Sequence, residues 1–144
     1  MLKIFLNTDG GSRGNPGNAG AGAVLMDGNG KVLQKINKPL GTMTNNEAEY
    51  HALIFGLETI KKFFGKEKAK QMEVVARLDS ELVVKQLVGK YQIKEGRLFP
   101  LFIRVWNMRV ADLPQLTFTY VPREQNSLAD QLANEAMDEA AKLL

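Results

Sequence analysis

Thr44-Asn45-Asn46-Glu47-Ala48-Glu49-Tyr50-His51-Ala52-Leu53 opens the first long helix of the chain, and it contains a misplaced charge. Thr44 followed three residues later by Glu47 is a capping box, in which hydroxyl and carboxylate each satisfy a backbone N–H. By the helical period, Glu49 falls on one stripe with Leu53, Gly56, Ile60 and Phe64, while Glu47, Glu58 and Lys61 fall opposite. A carboxylate in an apolar stripe is costly to bury unless a cation or a hydrogen-bond network meets it. The helix therefore demands a partner for Glu49 from elsewhere in the chain. It is predicted to stop at Gly65, a residue suited to the backbone of a helix end.

Strands lie upstream. Leu2 to Thr8 is apolar on both faces, as a central strand is, and is predicted to end at Asp9. The glycine-rich segment from Gly10 to Asn18 reads as a turn. Gly20 to Met26 and Lys31 to Lys38 read as two further strands, joined at Asp27-Gly28-Asn29-Gly30 in a hairpin. These glycines do not make a nucleotide loop. No Gly-Lys-Ser/Thr follows them, and no helix begins directly after them.

Downstream of the helix, a lysine-rich turn leads into a strand from Met72 to Leu78, which ends at Asp79. A short helix from Glu81 to Val88 is closed by Gly89, and Tyr91 to Arg97 forms a polar connector. A further helix is predicted over about 98–110, with Trp106 among its core residues, followed by a strand from Leu116 to Val121 that Pro122 cuts. The last helix runs from about Gln125 to the end, with Ala129, Leu132, Ala133, Ala136, Ala140 and Leu143 on one face. The order β-β-β-α-β-α-α-β-α predicts an α/β fold, a five-stranded mixed sheet flanked by helices, because the later strands can pair in parallel only through helical crossovers. The expected organisation is one domain over residues 1–144.

Composition narrows the function classes. The chain has 144 residues, 44% of them hydrophobic and 24% charged, which is ordinary for a globular protein. No apolar run reaches the roughly 18 residues of a membrane span. The N-terminal residues read directly as a strand and not as a leader, so a cytoplasmic, membrane-free location is expected, and with no large exposed apolar surface evident a monomer is the default expectation. The chain has no cysteine, which excludes disulfides, zinc–thiolate sites and thiol nucleophiles together. A net charge of +3 permits a polyanionic partner without requiring one.

Chemistry concentrates in four acids: Asp9, Glu49, Asp79 and Asp130. Asp9 and Asp79 at strand ends stand at the carboxyl edge of the sheet, where open α/β sheets bind ligands. Glu49 can reach that edge, and Asp130 lies at the margin of the buried face of the last helix. Converging carboxylates with no lysine or arginine among them repel one another, and hard divalent cations resolve the conflict. Two such ions about 3.5–4 Å apart can activate a water and stabilise the leaving oxygen of a phosphodiester. His51, two residues past Glu49, points away from it and is expected at the boundary of the core.

The blocks Thr8-Asp9-Gly10-Gly11-Ser12 with Gly14-Asn15-Pro16-Gly17, Thr44 to Glu49, Leu78-Asp79-Ser80, and Asn126 through Asp130 resemble the type 1 ribonuclease H family over essentially the whole chain. The resemblance implies the ribonuclease H-like fold. It also implies a metal-dependent endonuclease that cuts the RNA strand of RNA/DNA hybrids and leaves 5′-phosphate and 3′-hydroxyl ends. Mg²⁺ or Mn²⁺, two ions, would be held by Asp9, Glu49, Asp79 and Asp130. It further implies that the backbone of Gly10, Gly11 and Ser12, with Asn15, Asn45 and Asn46, reads RNA 2′-hydroxyls. Thr44, Tyr91 and Lys94 would lie near the DNA strand.

Two departures stand out. The loop before the last aspartate, Tyr120 to Gln125, lacks the histidine many members carry and offers Arg123 to the phosphate instead. The connector from Gly89 to Arg97 is too short for the lysine-rich protrusion of longer members. The alternatives are a hybrid- or double-stranded-RNA-binding module that does not cut, and a related nuclease acting on double-stranded RNA or DNA junctions.

Overall fold

The computed structural model describes residues 1–142; Leu143, expected on the apolar face of the last helix, lies outside them. Strands β1 (Lys3–Gly14), β2 (Gly17–Asp27), β3 (Val32–Met43), β4 (Glu73–Leu78) and β5 (Leu116–Tyr120) form a mixed sheet in the order β3-β2-β1-β4-β5. The first three make an antiparallel meander, and β4 and β5 run parallel to β1. The helices are α1 (Asn45–Phe64), α2 (Lys66–Lys70), α3 (Glu81–Leu87), α4 (Phe99–Ala111) and α5 (Ser127–Lys142). This is the predicted ribonuclease H-like architecture, with β1 central as its two apolar faces require.

One face of the sheet packs on α1, where Gly56 admits the side chains of Leu6 and Thr8 from β1. Ile4, Leu6, Leu25, Leu53, Leu57, Ile60, Val74 and Leu116 form the core of this layer, each worth roughly 2 kcal/mol of burial. The other face carries α5 across β1, β2 and β3. There a β-carbon at Gly20 or Gly22 would overlap the carbonyl of Ala133 or Ala129, so the alanine-rich helix lies directly on strand backbone. Helix α1 begins at the capping box of Thr44 and Glu47 and ends at Gly65, whose φ is +84°.

Three expectations need correction. First, β1 does not end at Asp9. It pairs with β2 through Gly14, so the segment read as a turn is mostly strand, and the reversal occupies only the two residues before Gly17. Gly14 alone in this segment has positive φ, whereas Gly10 is needed for close approach, since a β-carbon there would overlap the Ala48 carbonyl. Second, the lysine-rich turn contains the one-turn helix α2. Third, Trp106 is not in the core: it is 55% exposed. Helix α4 is apolar on both sides, with Val105 and Met108 buried and Phe99, Ile103, Trp106 and Val110 facing outward. Periodicity could not tell which stripe packs.

Candidate functional site

The parallel pairing of β1 and β4 ends at Thr8 opposite Leu78, so the next residues, Asp9 and Asp79, emerge side by side. Ser80 then caps α3, accepting from the Val83 N–H and turning the chain away from the sheet edge. Glu49 arrives from α1 because Gly10, adjacent to Asp9, lets the start of that helix press against β1. Carboxylate oxygens of Asp9, Glu49 and Asp79 all lie within 4.8 Å of one another.

Asp130 closes the set from α5. Its neighbour Ala129 abuts Gly22, and Gly22 is the β2 residue paired with Asp9, so strand register delivers the two acids to one place. Asn126 adds a pin. Its Nδ2 donates to the Thr8 carbonyl at 2.8 Å, and its own carbonyl accepts the Asp130 N–H at 3.1 Å. The side chain is 1% exposed. In the sequence Asn126 stands out only as part of a motif, and nothing in its spacing signals this role.

The electrostatics follow from the crowding. Asp9 and Glu49 are each 7% exposed. Burial, followed by the charge of Asp79, pushes the Asp9 carboxyl up to about 8. Burial, and then Asp9, push the Glu49 carboxyl well above the usual range. Glu49 Oε2 and Asp79 Oδ2 are buried without a hydrogen-bond partner. Buried carboxylate oxygens with no donor in reach are the ligand type a hard divalent cation takes, so the donor set fits such an ion.

The acids line an open cleft of about 460 Å³. Gly10, Gly11, Ser12, Asn45, Asn46 and Arg123 line it too, as do Arg13, Asn134 and Met137, which sequence reasoning missed. A signal existed for two of these: Arg13 shares a strand face with Asp9 at period two, and Asn134 lies one helical turn beyond Asp130. Asn15 does not line the cleft; its Oδ1 accepts the Asn45 N–H at 3.1 Å, while Asn45 Oδ1 accepts the Ser12 N–H at 2.9 Å. Asparagines thus tie the β1–β2 hairpin to the start of α1. Asn46 donates to Glu95 Oε1 at 2.8 Å. The Thr44 hydroxyl is engaged as the helix cap.

Tyr91 and Lys94 are not in this cleft. They line a second groove with Leu82, Gln86 and Lys90. His51 is half-buried and absent from the cleft wall, and burial, then Arg104, hold its imidazole below the usual range. Among the described residues, no helix is long and apolar enough to cross a membrane.

Residues 7–136 match the family model described as reverse transcriptase-like. The chain is 39% identical over 142 residues to the bifunctional protein Rv2228c of Mycobacterium tuberculosis, covering 98% of this chain and 37% of that protein. It is 40% identical over 138 residues to ribonuclease HI of Halobacterium salinarum, covering 96% of this chain and 66% of the relative. The structure of LC11-RNase H1, isolated from compost, superposes with a TM-score of 0.92 at 45% identity, covering 98% of this chain and 99% of the other. The chain belongs to the ribonuclease HI family. It spans little more than a third of the mycobacterial relatives it matches. LC11-RNase H1 in complex with an RNA/DNA hybrid is equally similar to this ribonuclease HI homologue, with a TM-score of 0.91.

Proposed function

We propose that this chain is a metal-dependent endonuclease that hydrolyses the RNA strand of RNA/DNA hybrids. The observation that carries the proposal is the convergence of Asp9, Glu49 and Asp79 with two buried, unpartnered carboxylate oxygens among them. A non-cleaving binder gains nothing from concentrating negative charge beside a phosphate backbone. Similarity to the hybrid-bound LC11-RNase H1 supports the choice of substrate.

Asp9, Glu49, Asp79 and Asp130 would hold Mg²⁺ or Mn²⁺, with two ions the working expectation. Bound there, such ions supply water activation and charge neutralisation at the leaving oxygen of the phosphodiester. The protein's own residues do the rest. Burial makes the charged forms of Asp9 and Glu49 costly, a cost that a bound cation would offset. Ser12, Asn45 and Asn46 lie on the cleft wall, and a side-chain amide such as that of Asn45 or Asn46 can both donate to and accept from a 2′-hydroxyl. Arg123, which also lines the cleft, supplies a cation where the loop histidine of other members is missing. Products carry 5′-phosphate and 3′-hydroxyl ends.

The test is a substrate panel in Mg²⁺: labelled RNA/DNA hybrid, double-stranded RNA and a DNA junction, with Asp9→Asn as control. The account expects cleavage of the RNA strand of the hybrid by the wild type alone. Equal cleavage by Asp9→Asn, or preference for the junction, overturns it.

A further inference from the structure

We infer that Arg13 is a substrate-binding residue: it grips a phosphate of the RNA strand next to the one being cut, and Asp138 positions it. The inference rests on the hybrid reading of the cleft and extends it outward along β1.

Residues alternate faces along a strand, so Asp9, Gly11 and Arg13 project from the same side of β1. Gly11 between them has no side chain, and the methyl group of Met137 from α5 packs where its β-carbon would be. Four residues of strand separate the α-carbons of Asp9 and Arg13 by roughly 13 Å. At that distance Arg13 addresses a neighbouring phosphate and not the one beside the acids, although both arginine and acids line one cleft.

Helix α5 holds the guanidinium in place. One terminal nitrogen, Nη2, meets Asp138 Oδ1 at 2.6 Å and donates to the Asn134 carbonyl at 3.4 Å. Among the described residues, the other two nitrogens have no partner. A guanidinium carries five N–H donors in a planar fork. Bracing one corner aims the rest, and such a fork matches phosphate oxygens.

A purely structural role explains less. The pair is half-exposed, and such ion pairs contribute about 0–1 kcal/mol. The hairpin is already fastened to α5 by Asn18, whose Nδ2 donates to the Met137 carbonyl at 3.0 Å, directly across the strand pair from Arg13.

The experiment measures hybrid binding by fluorescence anisotropy in EDTA across a salt series, with cleavage in Mg²⁺ followed in parallel. Arg13→Ala is expected to raise Kd about tenfold and to reduce the slope of log Kd against log salt by about one. Arg13→Lys should keep the slope and recover only part of the affinity. Asp138→Asn should fall between, also with the slope intact. A single methylphosphonate placed one or two nucleotides from the cut site in the RNA strand should weaken wild-type binding and leave Arg13→Ala unaffected. An unchanged salt slope, or an Arg13→Ala loss that is the same on charged and neutralised strands, overturns the inference. A wild type that binds with these signatures but does not cut leaves Arg13 standing and removes the nuclease reading. A wild type that does not bind hybrid removes both.

Discussion

Glu49 and Glu47 are two residues apart on α1 and do opposite work. Glu47 caps, its Oε1 accepting the Thr44 N–H at 3.1 Å. Glu49 faces the cleft with one oxygen unpartnered. Glu49→Gln is therefore expected to lower hybrid cleavage by about a thousandfold or more while the fold persists. Glu47→Gln should keep most activity and lose about 0.5–1 kcal/mol of stability, read from thermal unfolding. Asp9 makes a second prediction, about pH. Its carboxyl sits near 8 in the folded protein against 3.8 as the reference, so between those values the folded state binds the extra proton. The contribution of Asp9 to the stability of the metal-free protein is then fully present in acid and is lost as pH rises from about 4 to 8. Asp9→Asn removes the penalty and should raise stability at pH 8 in EDTA by about 1–3 kcal/mol, with little effect at pH 4. Urea unfolding at the two pH values decides it.

Which elements meet at the cleft is set by glycines. Gly10 lets α1 approach β1, and Gly22 lets α5 approach β2, so the two helix-borne acids reach the strand-borne ones. Gly10→Ala or Gly22→Ala should separate these layers, costing about 2 kcal/mol or more together with most of the activity. Gly96→Ala is the control, because nothing lies near its missing β-carbon. Chemical denaturation and a cleavage assay on the same samples check both effects. Much of this layout was legible in the chain. The capping box, the stripe holding Glu49 and the strand–aspartate junctions are local patterns, and local patterns survive folding. Contacts that depend on two distant segments were not legible. The glycines after Asp9 read as turn residues because their use, admitting Ala48 from another element, has no signature within the segment. Asn126 was equally silent, since its partner is a backbone carbonyl 118 residues away. Trp106 misled for a different reason: α4 is apolar on two sides, and only the packed sheet chooses between them.

The sheet order β3-β2-β1-β4-β5 brings acids from β1, the end of β4, α1 and α5 to one edge, and no local segment holds the site alone. Binding of a cation there should stabilise the molecule as a unit. Saturating Mg²⁺ at about 100 times its Kd is expected to add about 2.7 kcal/mol to unfolding, and Asp79→Asn should remove most of that gain in a melting experiment. Affinity for a polyanion, by contrast, belongs to the surface beyond the acids. With a net charge of only +3 and no basic protrusion, hybrid binding should be weak and should fall further as salt rises. The central claim is that converging carboxylates make a metal-dependent, RNA-strand-specific nuclease. The most direct measurement is cleavage of a hybrid labelled separately on each strand, in Mg²⁺ and in EDTA, with product ends identified. The account predicts cuts in the RNA strand only, in Mg²⁺ only, leaving 5′-phosphates. Cutting that persists in EDTA, or that falls on the DNA strand, would contradict it.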